Sequence, residues 1–385
     1  MGKMLFISNV SKGVGSFCLS SLIAAQKIGL DYYYVSNFSG VSRERIAEDE
    51  KKYSIKMVNL PIQRSPISLN NYKAYKALVR LIKKENIDYI HCNTPVGGLL
   101  GRLAGRKCKV KKIIYEAHGF HFYKGASIIN WLIYYPIEKW LAHKTDILIT
   151  INEEDFNLAK RKMHLRNDGR IEYVPGVGID TKKYIFDKTK RVSKRIELGL
   201  SNDDIALISM GDLIERKNYN TSIKAVSKAN NACLKYFICG TGPEEANLKN
   251  LAKKYDVDNQ VHFLGYRNDV KELLNACDLF LLPSKQEGLA RSLMEAMAVG
   301  LPCVVSNIRG NNDLLVDEKG GFLCQTYKSA EFAKAINALA NDAVLRNDMS
   351  IYNKEHIKRY SIDNVVNYLI YIYDCCDEQG EKVNK

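Results

Sequence analysis

The chain alternates between short apolar runs and longer segments in which apolar residues recur at helical spacing. Short apolar runs that are bounded by turn residues are typical of buried strands, and helical patterns such as residues 72–84 separate them. Strands that alternate with helices predict a parallel, doubly wound α/β domain. In the first half the predicted strands are residues 4–8, 32–35, 87–92, 113–115 and 147–150.

A second series of the same kind begins near residue 204 and ends in a helical pattern at 363–373. Between the two series lies a charged stretch without apolar runs, which its composition predicts to be a linker. We therefore expect one Rossmann-like domain at 1–185, a second at 204–355, and a C-terminal helical segment at 356–385 that packs back on the first domain. The strands predicted in the second series are 205–210, 236–239, 261–264, 278–282 and 303–305.

Composition agrees with two cytoplasmic domains. A chain of 385 residues with 46% apolar and 26% charged residues is long enough for two buried cores. The apolar run at the N-terminus is short and ends in a glycine loop, so we interpret it as the first strand rather than a signal peptide. Eighteen consecutive apolar residues occur nowhere, which predicts no transmembrane helix. The ten cysteines are scattered, apart from Cys375 and Cys376, and this pattern predicts reduced thiols.

The formal net charge of +14 indicates an anionic partner. Trp131 and Trp140 lie in one aromatic and apolar helical segment, a composition that favours peripheral attachment to an anionic membrane surface. An ordinary core helix with solvated lysines nearby is the alternative. Nucleic acid is disfavoured because no binding motif accompanies the charge. The basic residues of the first half cluster at Arg102, Arg106, Lys107, Lys109, Lys111 and Lys112, and at Lys160, Arg161, Lys162, Arg166 and Arg170.

Candidate chemistry centres on Glu287 and Glu295, which flank a predicted strand-to-helix turn. In a continuous helix these carboxylates would be roughly 12 Å apart, beyond the roughly 5 to 9.5 Å of a glycosidase pair. A hydrolase is therefore disfavoured. With a helix over 289–299, the amides of Gly288 and Leu289 would lie at a helix N-terminus, where backbone N–H groups bind anions. Such a site suits an elongated ligand that carries both phosphate and hydroxyl groups.

This segment resembles the E-x7-E motif of the retaining glycosyltransferases of family four, which have the GT-B fold of two facing Rossmann-like domains with a cleft between them. Several further runs are similar to that family and occur in the expected order. Residues 117–126 are similar to its exopolysaccharide and capsule branch. The further runs lie at 211–218, 240–244, 263–267 and 302–315.

The resemblance implies an N-terminal acceptor domain and a C-terminal nucleotide-sugar domain. It also implies that Glu295 holds the ribose hydroxyls and Glu287 the donor sugar, while His118 lies near the reacting sugar. Arg216 and Lys217 would neutralise the departing diphosphate, the main electrostatic task of the transfer. Asp212 stands where many members of the family carry an arginine. The remaining donor-binding residues are expected to be Gly211, Gly265, Tyr266, Arg267, Gly288 and Leu289.

Gly13 and Gly15 follow the first predicted strand, and we include them among the donor-binding candidates. They could admit a phosphate or the acceptor, although a plain tight turn is the alternative. Cys18 occupies the third glycine position of a dinucleotide fingerprint, so that motif is not met. Asp256 and Asp258 form a D-x-D sequence, but they precede a strand, at the wrong end of the sheet for the ligand. We therefore expect no metal site and no cofactor.

The sequence thus predicts a retaining glycosyltransferase that moves a hexosyl or N-acetylhexosaminyl group from a nucleotide-sugar, with UDP expected, to a lipid-linked glycan acceptor in surface polysaccharide assembly. It would act in the cytoplasm, peripherally on the inner face of the cell membrane. A nucleotide-sugar epimerase on the same fold and a non-catalytic sugar-nucleotide binding protein are the alternatives.

Overall fold

The computed structural model describes residues 2–374, without the side chain of residue 168. The chain divides into two compact units. The first unit comprises Met1–Gly178 and Ile362–Lys385, and the second comprises Ile179–Ser361. The Cys375-Cys376 pair and the end of the expected C-terminal segment lie outside the described residues.

The first unit contains a seven-stranded sheet in the order β3-β2-β1-β4-β5-β6-β7. All neighbouring strands are parallel. The strand order reverses between β1 and β4, and ligands of open α/β sheets bind at such a switch point, beyond the carboxyl ends of the strands. The strands are β1 Lys3–Val10, β2 Asp31–Asn37, β3 Lys56–Asn59, β4 Tyr89–Asn93, β5 Lys112–Ala117, β6 Ile147–Thr150 and β7 Arg170–Tyr173.

Helices cover both faces of this sheet. The helix α1 and the returning helix α15 pack on each other and, with β1, β2 and β4 to β6, enclose one apolar core. A second core lies on the opposite face, under α3, α4 and α5. The helices of this unit are α1 Ser16–Lys27, α2 Arg43–Tyr53, α3 Leu69–Glu85, α4 Pro95–Cys108, α5 Ile128–Ala142, α6 Glu153–Lys162 and α15 Ile362–Asp374.

The second unit contains a six-stranded parallel sheet in the order β10-β9-β8-β11-β12-β13, with apolar cores on both faces. Its switch point lies between β8 and β11. The strands are β8 Ile205–Met210, β9 Leu234–Cys239, β10 Val261–Gly265, β11 Leu279–Leu282, β12 Cys303–Ser306 and β13 Gly321–Cys324. The helices are α7 Lys188–Glu197, α8 Tyr219–Ala229, α9 Glu245–Lys254, α10 Val270–Ala276, α11 Arg291–Val299, α12 Asn311–Leu314, α13 Ser329–Asn341 and α14 Ala343–His356.

The charged stretch that the sequence predicts to be a linker forms α7 and belongs to the second unit. Two of its basic residues, Arg191 and Arg195, pair with Asp278, which lies between α10 and β11. Arg191 Nη2 donates to Asp278 Oδ1 at 2.6 Å, and Arg195 Nη1 donates to Asp278 Oδ2 at 3.2 Å. Arg191 Nη1 also donates to the carbonyl oxygens at the end of α10, as a cation at a helix C-terminus should. Ion pairs, rather than burial of apolar side chains, therefore attach α7 to the rest of the second unit.

Candidate active site

The candidate site of the second unit lies at its switch point, on the loops that follow β8 and β11. Arg216 and Lys217 follow β8 in a short 3-10 turn, Glu215–Lys217. Glu287 follows β11 in the loop before α11. Because the carboxyl ends of parallel strands meet at one edge of the sheet, these two loops come together.

Glu287 pairs with both basic residues, by a hydrogen bond from Lys217 and an ion pair with Arg216, whose Nη1 donates to the Gln286 carbonyl. Lys217 Nζ lies 2.8 Å from Glu287 Oε1, and Arg216 Nη1 lies 3.2 Å from Glu287 Oε2. The carboxylate of Glu287 is 9% exposed and the lysine 12%, whereas the arginine is 41% exposed. The structure therefore brings together three of the residues that the sequence predicts to be catalytic.

The electrostatics of this trio favour its charged form. Burial by itself raises the pKa of Glu287, but the Lys217 and Arg216 cations outweigh burial and hold that pKa below its ordinary value. The carboxylate is therefore ionised at neutral pH. Two cations beside one carboxylate leave a local excess of positive charge, which can stabilise a phosphate oxygen in a partly desolvated site.

Two hydrogen bonds hold these loops together. The amide of Lys285 donates to the carbonyl of Arg216 at 2.8 Å, and Asn218 Nδ2 donates to the carbonyl of Pro283 at 2.9 Å. Gly211 directly follows β8 with a φ of +145°, and a Cβ there would lie 3.0 Å from Cε of Lys217. A glycine is therefore needed both for the backbone conformation and for the space that the lysine side chain occupies.

Glu295 lies on α11, and its environment differs from the prediction. The helix begins at Arg291, not at residue 289, so Gly288 and Leu289 belong to the preceding loop and not to the first helical turn. Glu295 Oε1 accepts from Tyr184 at 2.9 Å and from Arg291 Nε at 2.9 Å. Glu295 is buried, so these contacts fix its orientation. Tyr184 was not predicted as a partner of Glu295 because the sequence assigned residues 1–185 to the first domain, whereas Tyr184 belongs to the second unit.

Gly265 ends β10, an edge strand of the sheet, and Tyr266 and Arg267 follow it in the next loop. Gly265 has a φ of +65° and Tyr266 is exposed. The side chain of Arg267 is held by carboxylates, since its Nε lies 2.7 Å from Asp269 Oδ1 and its Nη2 lies 3.0 Å from Glu197 Oε1. Arg267 can therefore offer a ligand its backbone more readily than its guanidinium.

In the first unit, His118 directly follows β5 and packs against Phe17 of α1, with ring centroids 5.3 Å apart. Its Nε2 lies 3.8 Å from Oε1 of Glu116, a buried carboxylate that was not among the predicted site residues. Burial lowers the pKa of His118, although Glu116 opposes this effect, so the ring is neutral at pH 7. Histidine and carboxylate two residues apart on a strand share one face, which is the signal that could have identified Glu116.

Gly13 and Gly15 lie in the loop between β1 and α1. The amide of Val14 donates to Oδ2 of the buried Asp49 at 2.9 Å, and a Cβ on Gly13 would lie 2.5 Å from the same oxygen. Gly13 has a φ of +114°, whereas Gly15 has open space around it. Asp49 thus holds this turn from within the protein. No sequence signal marked this aspartate, which lies in a polar helix.

The segment with both tryptophans forms α5, and most of its apolar side chains are exposed. Trp131 packs into the core, whereas Trp140 is 51% exposed with Lys144 over its ring at 4.1 Å. None of the helices in the described residues is both long and apolar enough to cross a membrane. Ile128, Ile129, Leu132, Ile133, Tyr134 and Ile137 are also exposed on α5.

Arg102 does not belong to the exposed basic surface in which the sequence placed it. Its side chain is 1% exposed and makes two hydrogen bonds to Glu138 of α5, at 2.8 and 3.1 Å. The guanidinium also lies 3.7 Å from the ring centroid of Tyr115. Glycines of α4 explain this burial, because a Cβ on Gly98 would come within 2.4 Å of Tyr115, so the helix lies close to the sheet. Arg102 anchors α5 instead of binding an anion.

Asp256 and Asp258 lie in the loop that enters β10, at the end of the sheet opposite Glu287. Within residues 2–374, no cluster of three or more histidine, cysteine, aspartate or glutamate residues has an arrangement suited to a metal ion.

Comparison with known proteins identifies the class. Residues 3–152 match the family model described as glycosyl transferase 4-like, and residues 191–356 match that of the glycosyl transferases group 1. The chain belongs to this glycosyltransferase family, has the GT-B fold class, and is an enzyme of that kind. The family resemblance seen in the sequence is confirmed, and neither the epimerase nor the non-catalytic alternative gains support.

Relatives match over most of their length. A Bacillus subtilis protein named as a glycosyltransferase, EpsD, is 33% identical over 385 residues, which is 99% of this chain and 98% of that protein. The Escherichia coli UDP-Gal:α-D-GlcNAc-diphosphoundecaprenol α-1,3-galactosyltransferase is 31% identical over 332 residues, 82% of this chain and 85% of that protein.

Among solved structures, Anabaena HepE in complex with UDP and glucose has a TM-score of 0.79 at 18% identity, with 97% of this chain and 100% of that chain covered. Sucrose-phosphate synthase of Thermosynechococcus elongatus has a TM-score of 0.80 at 16% identity, with 97% and 98% covered. At these identities the likeness concerns the fold.

Proposed function

We propose that this glycosyltransferase moves a hexosyl or N-acetylhexosaminyl group from a UDP-sugar to a lipid-linked glycan acceptor during surface polysaccharide assembly, with retention of anomeric configuration. The observation that carries the proposal is the contact of Lys217 and Arg216 with the buried Glu287 at the switch point of the second unit. These side chains combine anion-binding and hydroxyl-binding groups, as a nucleotide-sugar requires.

Each residue is assigned a role from its chemistry and from the family resemblance. Lys217 and Arg216 neutralise the charge that develops on the leaving diphosphate. Glu287 accepts hydrogen bonds from hydroxyls of the donor sugar, and Glu295, oriented by Tyr184 and Arg291, accepts them from the ribose. The remaining donor contacts come from the backbone at Gly211, Gly265, Tyr266, Gly288 and Leu289. In the first unit, His118 is assigned to the reacting sugar, and the Gly13 to Gly15 loop to donor or acceptor.

Two relatives support the substrate classes. The E. coli relative is named for UDP-Gal and for a diphosphoundecaprenol-linked acceptor. A Campylobacter jejuni relative, 24% identical over 348 residues and covering 86% of this chain and 89% of that protein, is named as an N-acetylgalactosaminyltransferase that acts on a diphospho-undecaprenol-linked sugar. We infer the same classes of donor and acceptor here, and leave the particular sugars to experiment.

Retention of the anomeric configuration is explained most simply if the acceptor attacks the same face of the sugar from which the diphosphate departs. The bond from the anomeric carbon to the diphosphate oxygen breaks, the acceptor oxygen bonds to that carbon, and the acceptor proton passes to the leaving diphosphate. Cations contact both oxygens of Glu287, which makes this carboxylate a poor nucleophile for the alternative double displacement.

We further propose that the enzyme binds peripherally to the anionic inner face of the cell membrane through α5. Its exposed apolar side chains can enter the interfacial region, while Lys124, Lys139 and Lys144 and the net charge of +14 attract anionic lipid. A lipid-linked acceptor would then be reached from the membrane surface.

The decisive experiment incubates the purified full-length chain with UDP-, GDP- and dTDP-sugars, with and without lipid extract of the source membrane, and measures nucleotide release. Release that requires both a UDP-sugar and lipid is the expected result. Interconversion of sugars without lipid would replace the proposal by an epimerase. NMR of the product decides the stereochemistry, and an inverted anomer would contradict retention.

A further inference from the structure

The first unit contains a second cluster of polar groups, at its own switch point, of which the family resemblance assigns only His118. Asn93 is the last residue of β4 and is 0% exposed. Neither its Nδ2 nor its Oδ1 has a hydrogen-bond partner among the described residues. A buried amide with both groups unpaired costs folding free energy, so proteins keep such groups where a ligand completes them.

Glu116 and His118 lie on the same face as this amide. Asn93 and Glu116 are register partners on the neighbouring parallel strands β4 and β5, so both side chains project to one side of the sheet. Glu116 Oε2 lies 3.0 Å from His91 Nε2, while its Oε1 is directed toward His118 at 3.8 Å, too far for a hydrogen bond. His118 Nε2 is also buried without a partner among the described residues.

The other polar groups of this network, described next, all have hydrogen-bond partners. The unpaired atoms of Asn93 and His118 are therefore exceptions within a well-ordered cluster. The Tyr373 hydroxyl of α15 lies 2.6 Å from His91 Nδ1 and 2.8 Å from Ser21 Oγ of α1. These contacts fix His91, and His91 in turn fixes one oxygen of Glu116. The unpaired atoms lie at the carboxyl ends of the strands, where ligands of such sheets bind, and not deeper in the core.

The backbone beside Asn93 is strained, and an exposed aromatic ring lies near the cluster. Thr94 has a φ of +63°, unusual for a β-branched residue. Such strain is concentrated at ligand sites. Phe17, which packs against His118, is 57% exposed. An amide, a carboxylate, an imidazole and an exposed aromatic ring together suit a pyranose, whose hydroxyls both donate and accept hydrogen bonds and whose C–H face is apolar.

We propose that Asn93, Glu116 and His118 form a sugar-hydroxyl subsite of the first unit, with Phe17 against the sugar ring. Asn93 Oδ1 accepts from the hydroxyl and Nδ2 donates to it, while Glu116 positions His118. The hydroxyl belongs either to the transferred sugar or to the accepting sugar, since both offer the same chemistry. This assignment rests on the proposed glycosyl transfer and specifies residues for it.

The test uses the Asn93→Leu variant of the full-length chain, because leucine keeps the volume and removes the amide. We expect the KM of one sugar substrate to rise at least tenfold while the thermal midpoint stays the same or rises, as it does when an unpaired buried amide is replaced. Asn71→Leu is the matched control, since Asn71 is buried but bonded to Gln63 and Ser65, and its midpoint should fall. A raised donor KM assigns the hydroxyl to the transferred sugar, and a raised acceptor KM assigns it to the acceptor.

A second readout does not depend on turnover. In histidine-labelled protein, titration with UDP-sugars and with methyl glycosides should shift the His118 ring resonances saturably, and Asn93→Leu should weaken that shift. Glu116→Gln should change the pH at which the His118 resonance titrates. A lowered midpoint in Asn93→Leu with unchanged KM values, or a His118 resonance that no sugar moves, would overturn the subsite. If the wild-type chain transfers no sugar at all, the proposed function is wrong, and the titration still decides the subsite.

Discussion

Seventy residues separate Lys217 from Glu287 along the chain, and the ammonium of one lies 2.8 Å from the carboxylate of the other. The contact exists because β8 and β11 are neighbours in the sheet although two strands, β9 and β10, come between them in sequence. Neither residue is exposed enough for the pair to be an incidental surface ion pair. The cation is therefore held in place before a phosphate arrives, which is the condition for electrostatic catalysis.

Removing the Lys217 ammonium should reduce sugar transfer severely. We expect Lys217→Met to lower kcat by about 100-fold or more, since a preorganised charge-stabilising group typically contributes about 3 kcal/mol to the transition state. Lys285→Met is the matched control, because Lys285 lies on the neighbouring loop after β11 and pairs with the exposed Glu215. Its kcat should stay within about threefold of wild type, as exposed ion pairs contribute little. Equal losses in both variants would mean that Lys217 has no special role.

The pH dependence of stability should carry the signature of Glu287. Its folded-state pKa lies below the ordinary value of 4.5, so between the two pKa values the unfolded state binds more protons and stability rises with pH. The contribution is complete above pH 4.5 and is lost as the pH falls through the folded-state pKa. We expect the thermal midpoint of Glu287→Gln to decrease less than that of wild type between about pH 7 and about pH 4.

Glu215→Gln serves as the control for that measurement, because Glu215 lies nearby but is 85% exposed. Lys285 also lowers the pKa of Glu215, but solvent screens this exposed pair, so its contribution to stability is small. It should retain the wild-type decrease on acidification. A Glu287→Gln profile parallel to that of wild type would show that the carboxylate does not titrate differently in the folded state.

Arg102 should matter for stability and not for membrane binding. Truncating one partner of a buried ion pair costs about 3 to 5 kcal/mol, and we expect Arg102→Met to lower the free energy of unfolding by that amount. Arg106→Met, on the same helix but exposed, should change it by no more than about 0.5 kcal/mol. Urea denaturation monitored by tryptophan fluorescence measures both. The double variant Arg102→Met with Glu138→Met should regain part of the loss, whereas an additive loss would contradict the pairing.

The apolar surface of α5 should determine membrane binding. Replacing Ile129 and Leu132 by aspartate removes side chains that are 65% and 70% exposed, so the fold should persist while interfacial burial is lost. Since burying one such side chain contributes about 1.5 to 3 kcal/mol, sedimentation with anionic liposomes at low salt should weaken at least tenfold.

The control for this experiment places the same two aspartates at Ile67 and Leu69, which are 90% and 84% exposed in the same unit. That variant should sediment like wild type. Failure of the wild-type chain itself to sediment would remove the membrane proposal and leave the transferase untouched.

The periodicity of apolar residues was sufficient to predict two parallel sheets, because their central strands are buried on both faces and appear as apolar runs. The strands β3, β7 and β13 were not predicted, since they are less buried and lack such a run. Polar interactions were harder to foresee. No apolar run marks α7, which ion pairs attach to Asp278. Tyr184, which bonds to Glu295, was assigned to the first domain because the domain boundary was placed too late. The start of α11 was misplaced because its N-cap, Ala290, makes no side-chain capping bond and so leaves no capping signal in the sequence.

Roles that depend on long-range contacts lay beyond the sequence. Arg102 sits among other basic residues and differs from them only because glycines let α4 approach Tyr115. Glu116 and Asn93 lie in or beside segments that the sequence identified only as short apolar runs. Their juxtaposition depends on the register between β4 and β5. In contrast, Glu287, Arg216 and Lys217 could be grouped in advance, because the loops that follow neighbouring parallel strands converge.

The returning helix α15 has a consequence for how the chain matures on the ribosome. Val365, Val366, Leu369 and Ile372 complete a core whose other members come from the first half of the chain. The second unit, Ile179–Ser361, is fully synthesised before those four side chains exist. Domains usually fold in the order of synthesis, but here the unit that begins first must finish last. Until then, the apolar surface of α1 stays exposed, and the nascent chain is most vulnerable to aggregation in that interval.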